Sequence, residues 1–376
     1  MRTVEPRKRT LGSPILPIEP PVRVRLPIGG LLALAAPGDR VAAGDLVARS
    51  REGARFELRR HASIAGRVVS VGEETIEIEG EPGPVRPMPE PATIEDAARE
   101  AGLVGMGGAM FPTYVKLARS GAAVECVIVN GSESEPYVTC DSRVLAEHGA
   151  EVEAGADLAM LSLGARRRVI VAEPDRYPGG DERLLVRQLL GREVPLFRLP
   201  RDVGATVFNV QTARALAAAW RERRPLVDRV VTVDGGAVAR PGNYVVPIGT
   251  EIGHVLAACG ADLARAAALV RGGPMMGEEA SLETPVLAGT VAVLALTREE
   301  TAEPSDEPCI RCGDCYSACP YGLPAALLIE RPTEELLRCV SCGLCEWACP
   351  SRRPLVARLA LAKAELLAGK AAACRS

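Results

Sequence analysis

Eight of the twelve cysteines fall into two runs of the same spacing, Cys309-Ile-Arg-Cys312-Gly-Asp-Cys315-Tyr-Ser-Ala-Cys319-Pro320 and Cys339-Val-Ser-Cys342-Gly-Leu-Cys345-Glu-Trp-Ala-Cys349-Pro350. A cubane iron–sulfur cluster needs four soft, deprotonated sulfurs, one for each iron. A two-residue gap lets one turn supply neighbouring ligands while its amides hydrogen-bond the sulfides. Where two such runs share a fold, the fourth cysteine of each ligates the other cluster. That rule assigns Cys309, Cys312, Cys315 and Cys349 to one 4Fe–4S cluster, and Cys339, Cys342, Cys345 and Cys319 to a second. Zinc also binds Cys-x-x-Cys, but it has no use for a Cys-Pro ending that occurs twice. The expected chemistry is transfer of single electrons. Among the other cysteines, Cys126 and Cys259 stand in apolar surroundings and are expected to be buried small hydrophobes, while Cys140 and Cys374 fit no ligand pattern.

A second constellation is Ala101-Gly-Leu-Val-Gly105-Met-Gly107-Gly108-Ala-Met-Phe111-Pro112-Thr113-Tyr-Val-Lys116. Closely spaced glycines between helical stretches let backbone N–H groups approach a phosphate, and a following helix N-terminus adds partial positive charge. On glycine spacing alone, a turn needed only for packing is an equal reading. Lys116 is one of four lysines among 45 basic residues, so its place beside this loop is mildly informative. Glu133 and Glu135 before Pro136 read on their own as a solvated turn. His61, His148 and His254 are scattered without ligand spacing.

The longer string changes that balance. Gly105-x-Gly-Gly-Ala-x-Phe-Pro-Thr, followed by Val129-Asn130-Gly-Ser-Glu133-Ser-Glu135-Pro136, resembles the flavin- and NADH-binding subunit of respiratory complex I. Closer still is the C subunit of the Rnf complex, a membrane-bound ferredoxin:NAD oxidoreductase. The resemblance continues through Arg176-Tyr-Pro-Gly-Gly180, Gly191-Arg-Glu-Val-Pro195, Val207-Phe-Asn209-Val-Gln-Thr212 and Arg271-Gly-Gly-Pro-Met-Met-Gly277 to both cysteine runs. It implies that Gly105, Gly107, Gly108 and Lys116 line the phosphate side of a noncovalent FMN, with Asn130 and Asn209 near its ribityl or ring. Phe111 and Thr212 belong to the same cofactor-binding set, and Glu133 and Glu135 would face NAD(H) as the catalytic pair. Carboxylates can accept hydrogen bonds from ribose hydroxyls, and an isoalloxazine turns a two-electron hydride into single electrons. The family commonly has glycine where Met110 stands, and Met106 is a second methionine in the loop.

The elements that must position these groups fall into four stretches. Residues 1–90 hold an extended Pro- and Arg-rich entry and a small all-β unit built from Leu31–Ala35, Val41–Val47, Ile64–Val71 and Thr75–Ile78. Gly38-Asp-Arg-Val-Ala-Ala-Gly44 and Ile64-Ala-Gly66 give it the look of a barrel-sandwich carrier domain, without a lysine to acylate. Residues 91–225 alternate strands and helices (94–101, 125–130, 150–163, 168–172, 206–220), which predicts a largely parallel sheet with ligands at the carboxyl ends of its strands. Residues 226–297 resemble the soluble-ligand-binding β-grasp (SLBB) domain, and residues 298–376 form a helical two-cluster ferredoxin-like module. The fold class expected is multidomain α/β.

Length bounds the answer in the same way, since 376 residues exceed one ordinary core. With 47% apolar and 25% charged residues the chain reads as a folded soluble protein, and a net charge of −3 argues against nucleic acid as a partner. No apolar run approaches the ~20 residues that cross a bilayer, and the Arg-rich start lacks an apolar signal core. Thiolate clusters also call for a reducing compartment. The resemblance therefore implies a peripheral subunit on the cytoplasmic face of the membrane, docked on membrane subunits and exchanging electrons with a ferredoxin-like partner. A cobalamin-reductase or proline-reductase-linked flavoprotein is the alternative; in the cobalamin reductase the glycine loop lies near the N-terminus, whereas here a β unit precedes it and the cysteine runs come last. A cluster-only wiring or scaffold protein without nicotinamide binding is the third reading.

Overall fold

The computed structural model describes residues 7–119, 121–172, 177–301 and 303–373. Arg176 and Cys374, singled out above, lie outside the described residues. The N-terminal unit folds as two antiparallel sheets. One orders Arg23–Pro27, Thr75–Glu81, Ala65–Val71 and Arg40–Val41; the other orders Leu31–Ala33, Leu46–Ser50 and Arg59–His61. Alternation drives this, because Val24, Leu26, Ile76 and Ile78 point inward between outward charges and share one core with Val47, Ile64 and Val68.

The next unit is the expected α/β layer. Its sheet is parallel, with Cys126–Asn130 between Arg167–Val171 and Ala205–Asn209. Val127, Val129, Phe208 and Val210 bury against helices Ile94–Glu100, Cys140–Leu163 and Val210–Arg221. The middle helix begins ten residues earlier than its periodicity suggested, with non-helical dihedrals at His148 where two helices join. A helix at Glu182–Leu190, capped by Asp181, was not anticipated. Gly155 is where the two long helices meet: a Cβ there would lie 1.7 Å from the Ala213 carbonyl oxygen, so only glycine permits the approach.

The third unit carries a mixed six-stranded sheet ordered Ile15–Pro17, Gly242–Pro247, Asp228–Asp234, Ala292–Leu296, Ala268–Arg271 and Glu278–Glu279. The first of these strands comes from the entry segment at the head of the chain, which pairs parallel with Asn243–Val245 instead of joining the first β unit. The last unit is helical, from Asp314–Ala318 to Leu355–Ala373, around a small core of Leu323, Leu328, Leu336, Leu355 and Leu359. The multidomain α/β class is borne out. Among the described residues, no helix is long and apolar enough to cross a membrane.

Gly155→Ala is expected to destabilise the protein by about 1–3 kcal/mol, because the added methyl must push two packed helices apart. Chemical denaturation of the variant against the parent measures it; equal stability would show that the helices can separate freely.

Candidate functional site

The parallel strands end in loops that gather at one edge. Asn130 and Asn209 are register partners at the carboxyl ends of adjacent strands, so the two asparagines predicted from sequence stand side by side. Asn209 caps the following helix through the Gln211 amide and donates its side-chain N–H to Asp141. Asn130 accepts from the Ser132 amide at 2.9 Å and donates to the Gly180 carbonyl at 2.9 Å.

The glycine loop closes over this edge as a small hairpin. The Gly105 amide donates to the Phe111 carbonyl at 2.8 Å, and Val104 bridges Pro112. Met106 is the pinned residue: its amide donates to Thr212 Oγ1 at 2.9 Å, and its carbonyl accepts from Arg229 Nη1 at 2.8 Å. Beyond it Gly107 and Gly108 are exposed; Gly108 has φ +120° with open space where a Cβ would be, and Gly107 leaves only 3.4 Å to Asn209 Nδ2. Met110 holds φ +50°, the left-handed region a glycine would occupy without cost. The Thr113 hydroxyl, just after the loop, is buried and has no hydrogen-bond partner among the described residues. Among the described residues the amides of Gly107 and Gly108 carry no hydrogen bond, and two exposed glycines at a loop tip fit the phosphate of a flavin nucleotide. The helix that follows, Thr113–Leu117, is too short to contribute much of a dipole. The Lys116 ammonium is committed elsewhere, to the Val207 carbonyl at 2.9 Å and Glu182 at 3.4 Å, and Phe111 meets Phe56 of the first β unit edge-on at 5.4 Å.

Glu133 and Glu135 are not a solvated turn. Glu133 is buried and accepts from the Asp141 and Ser142 amides at 2.7 and 2.9 Å, closing the N-terminus of the long helix. Glu135 accepts from the Met275 and Met276 amides of the β-grasp unit at 3.1 and 2.9 Å. Lys8 pins the loop that carries both, donating to the carbonyls of Glu133, Glu135 and Val138. Burial pushes the Glu135 carboxyl up to about 7, and burial together with nearby Asp141 raises Glu133. Burial likewise lowers Lys8 and raises Cys140 and Asp141, which lie with Glu133 in one enclosed group.

The cysteine runs repeat in backbone as well as in sequence. Arg311 and Ser341, at equivalent places, both take φ near +56° (56° and 57°), and Gly313 and Gly343 follow with φ +84° and +79°. Each tight turn leads into a short helix, Asp314–Ala318 or Leu344–Trp347, and the Ser341 amide points at Cys339 Sγ at 3.4 Å. Cys319, from the first run, lines a small cavity together with Cys339, Cys342 and Cys345 of the second. In reverse, the Ser305 amide bonds the Arg352 carbonyl and Ser351 bonds the Pro308 carbonyl, which lays the start of the first run along the end of the second. Burial and the crowding of neighbouring thiols raise Cys342 to about 11 and Cys345 to about 12. Four thiols lining one cavity are the donor set a cubane needs, so these residues fit an iron–sulfur cluster, which would hold them as thiolates. Cys126 and Cys259 are buried as expected.

Sequence reasoning missed Lys8, Arg229, Tyr177 and Tyr321. Lys8 carried a usable signal in the scarcity of lysine; Arg229 is one arginine among many, and its almost complete burial appears only in the fold.

Residues 98–176 and 168–218 match the model of the Nuo51 FMN-binding domain, residues 230–279 the SLBB domain, and residues 302–350 the 4Fe–4S dicluster domain. Those three domains in one chain, with the loops and thiols above, define an iron–sulfur flavoprotein of electron transfer. Among its relatives is the C subunit of the ion-translocating oxidoreductase complex of Rhodobacter capsulatus, 36% identical over 81% of this chain and 68% of that one. The C subunit of the proton-translocating ferredoxin:NAD(+) oxidoreductase complex of Clostridium ljungdahlii is 34% identical over 86% and 81%. Its Na(+)-translocating counterpart from Acetobacterium woodii is 33% identical over 70% and 70%. The chain belongs to the family of C subunits of ion-translocating oxidoreductase complexes.

A carboxyl whose folded-state value rises from 4.5 to about 7 binds its proton more tightly in the folded than in the unfolded state. The stability it contributes is present below its unfolded value and lost as pH rises through about 7. Glu135→Gln, which keeps the neutral form, is expected to flatten the fall in unfolding free energy between about pH 5 and pH 8; urea titrations of both proteins at the two pH values read it.

Proposed function

We propose that this chain is the peripheral electron-transfer subunit of an ion-translocating ferredoxin:NAD oxidoreductase complex. It exchanges hydride with NAD(H) at the parallel-strand edge and passes single electrons through two 4Fe–4S clusters. Its partners in this reading are membrane subunits of such a complex and a ferredoxin-like electron carrier, and its place is the cytoplasmic face of the membrane. The observation that carries the reading is the gathering of thiols from two separate runs around one cavity, in a chain that also carries a glycine loop of the flavin-binding type.

Within that reading Cys309, Cys312, Cys315 and Cys349 hold one cluster and Cys339, Cys342, Cys345 and Cys319 the other. FMN, when bound, supplies the change from two-electron to one-electron chemistry. Gly107 and Gly108 present amides to its phosphate, while Gly105 closes the loop through its own amide bond to the Phe111 carbonyl. Thr212 and Asn209 hold the loop and the strand end in place, Asn130 orders the facing loop, and Lys116 ties the loop's helix to the sheet. Phe111 anchors the loop to the first β unit, where its ring forms part of the wall. Glu133 and Glu135 shape the nicotinamide side through the loop that Lys8 pins. With a value of about 7, Glu135 can gain or lose a proton near neutrality as ligand arrives.

Anaerobic purification is expected to yield about eight irons and matching sulfide per chain from the two-cubane ligand count, with one FMN. NADH should bleach the flavin. Zinc at these sulfurs, or flavin that NADH leaves oxidised, would remove the reading.

A further inference from the structure

The two cysteine sets do not sit alike against the rest of the chain. Tyr177 donates its hydroxyl to the Cys342 carbonyl at 2.5 Å, and Tyr321, two residues after Cys319, donates to Asp181 at 2.8 Å. Both contacts land on the cavity that holds Cys319, Cys339, Cys342 and Cys345. Among the described residues, no hydrogen bond from the earlier units reaches residues 309–315, where Cys312 is exposed and Ile310 is 64% exposed. Cys342, by contrast, is buried.

Tyr177 stands in a short loop that also touches the strand ends. Three residues on, the Gly180 carbonyl accepts from Asn130 and its amide donates to Ser134. One short peptide therefore separates the asparagine edge from the Cys342 turn. A second path runs through the β-grasp unit. Glu135 holds the Met275 and Met276 amides, and the Met275 carbonyl packs so closely on Gly343 that a Cβ there would come within 3.0 Å. On the other side of the same loop, a Cβ at Gly273 would lie 2.4 Å from Glu135. The loop is wedged between the acidic pair and the cysteine turn with no slack on either side.

We propose that Tyr177 is the positioning residue that sets the inner cluster, held by Cys319, Cys339, Cys342 and Cys345, against the flavin edge, the cluster of Cys309, Cys312, Cys315 and Cys349 being the outer one. The inference rests on the function proposed above and orders its steps. With flavin and clusters bound, one NADH would give up two electrons and leave NAD+, and those electrons would pass singly by way of the Cys342 turn to the inner cluster and one of them on to the outer. The sum is NADH plus two oxidised clusters yielding NAD+, one proton and two reduced clusters.

The test uses the full chain with both clusters and flavin loaded without oxygen. Cys342→Ser and Cys312→Ser assign the two electron paramagnetic resonance signals, because a serine ligand changes the signal of its own cluster. In Tyr177→Phe the Cys342-assigned signal is expected to shift in midpoint potential while the Cys312-assigned signal keeps its value. NADH-driven reduction of the inner cluster should also lag flavin bleaching several-fold more than in the parent. Gly343→Ala, which presses on Met275, should move the same signal and serves if the tyrosine variant does not fold. A shift confined to the Cys312 signal, or no shift in either variant, overturns the proposal. The potential shift needs no nicotinamide, so a parent chain that loads clusters but fails to react with NADH would refute the functional reading while still deciding the joint.

Discussion

Charge buried against main-chain polar groups is the constraint on which the rest of this structure depends. Loops at the carboxyl ends of parallel strands leave amides and carbonyls that no sheet can satisfy, and a buried unpaired group costs on the order of 1–3 kcal/mol. Here side chains from distant parts of the chain supply the partners. Arg229, almost wholly buried, binds the Met106 and Ala288 carbonyls at 2.8 and 2.6 Å and fastens the glycine loop to the β-grasp sheet. Lys8 does the same for the acidic loop, while Glu133 and Glu135 accept amides from two different units. Each of these charges would be expensive in the interior if its partner were removed, so the loops are held in single positions.

Those joints tie successive units together. The entry segment crosses the molecule to become an edge strand of the third sheet, placing Lys8 in the second unit on the way, with Arg9 bound to Asp234 and Thr10 hydrogen-bonded to Thr139. Gly289 approaches the glycine loop so nearly that a Cβ would sit 2.7 Å from the Gly108 carbonyl. The flavin-type loop is thus gripped from the sheet behind it and from the β-grasp unit beside it. The tip from Gly107 to Ala109 is left exposed.

Much of this was legible in the residue order. The cysteine spacing, the alternation of the first β unit and the periodicity of the α/β helices are local patterns, and the helix predicted over 94–101 was found at Ile94–Glu100. The start of the long helix was missed because polar residues from Cys140 to Gly149 dilute its apolar period, and its first turn is held by Glu133, a partner that lies outside the helix. The site was half legible. Asn130 and Asn209 came together as expected, whereas the amine of Lys116 and the carboxylates of Glu133 and Glu135 were found bonded within the protein.

By itself the sequence determined the donor chemistry: eight thiols at cubane spacing, a Cβ-free loop, and strands whose alternation marks their buried faces. These depend on neighbours a few residues away, where chain geometry leaves little choice. Only the tertiary structure decided that Tyr177 meets the Cys342 turn, and that lone charges such as Lys8 and Arg229 serve loops more than a hundred residues distant. Such pairings follow from which backbone groups are left unsatisfied once the sheets have packed, and no local pattern records that.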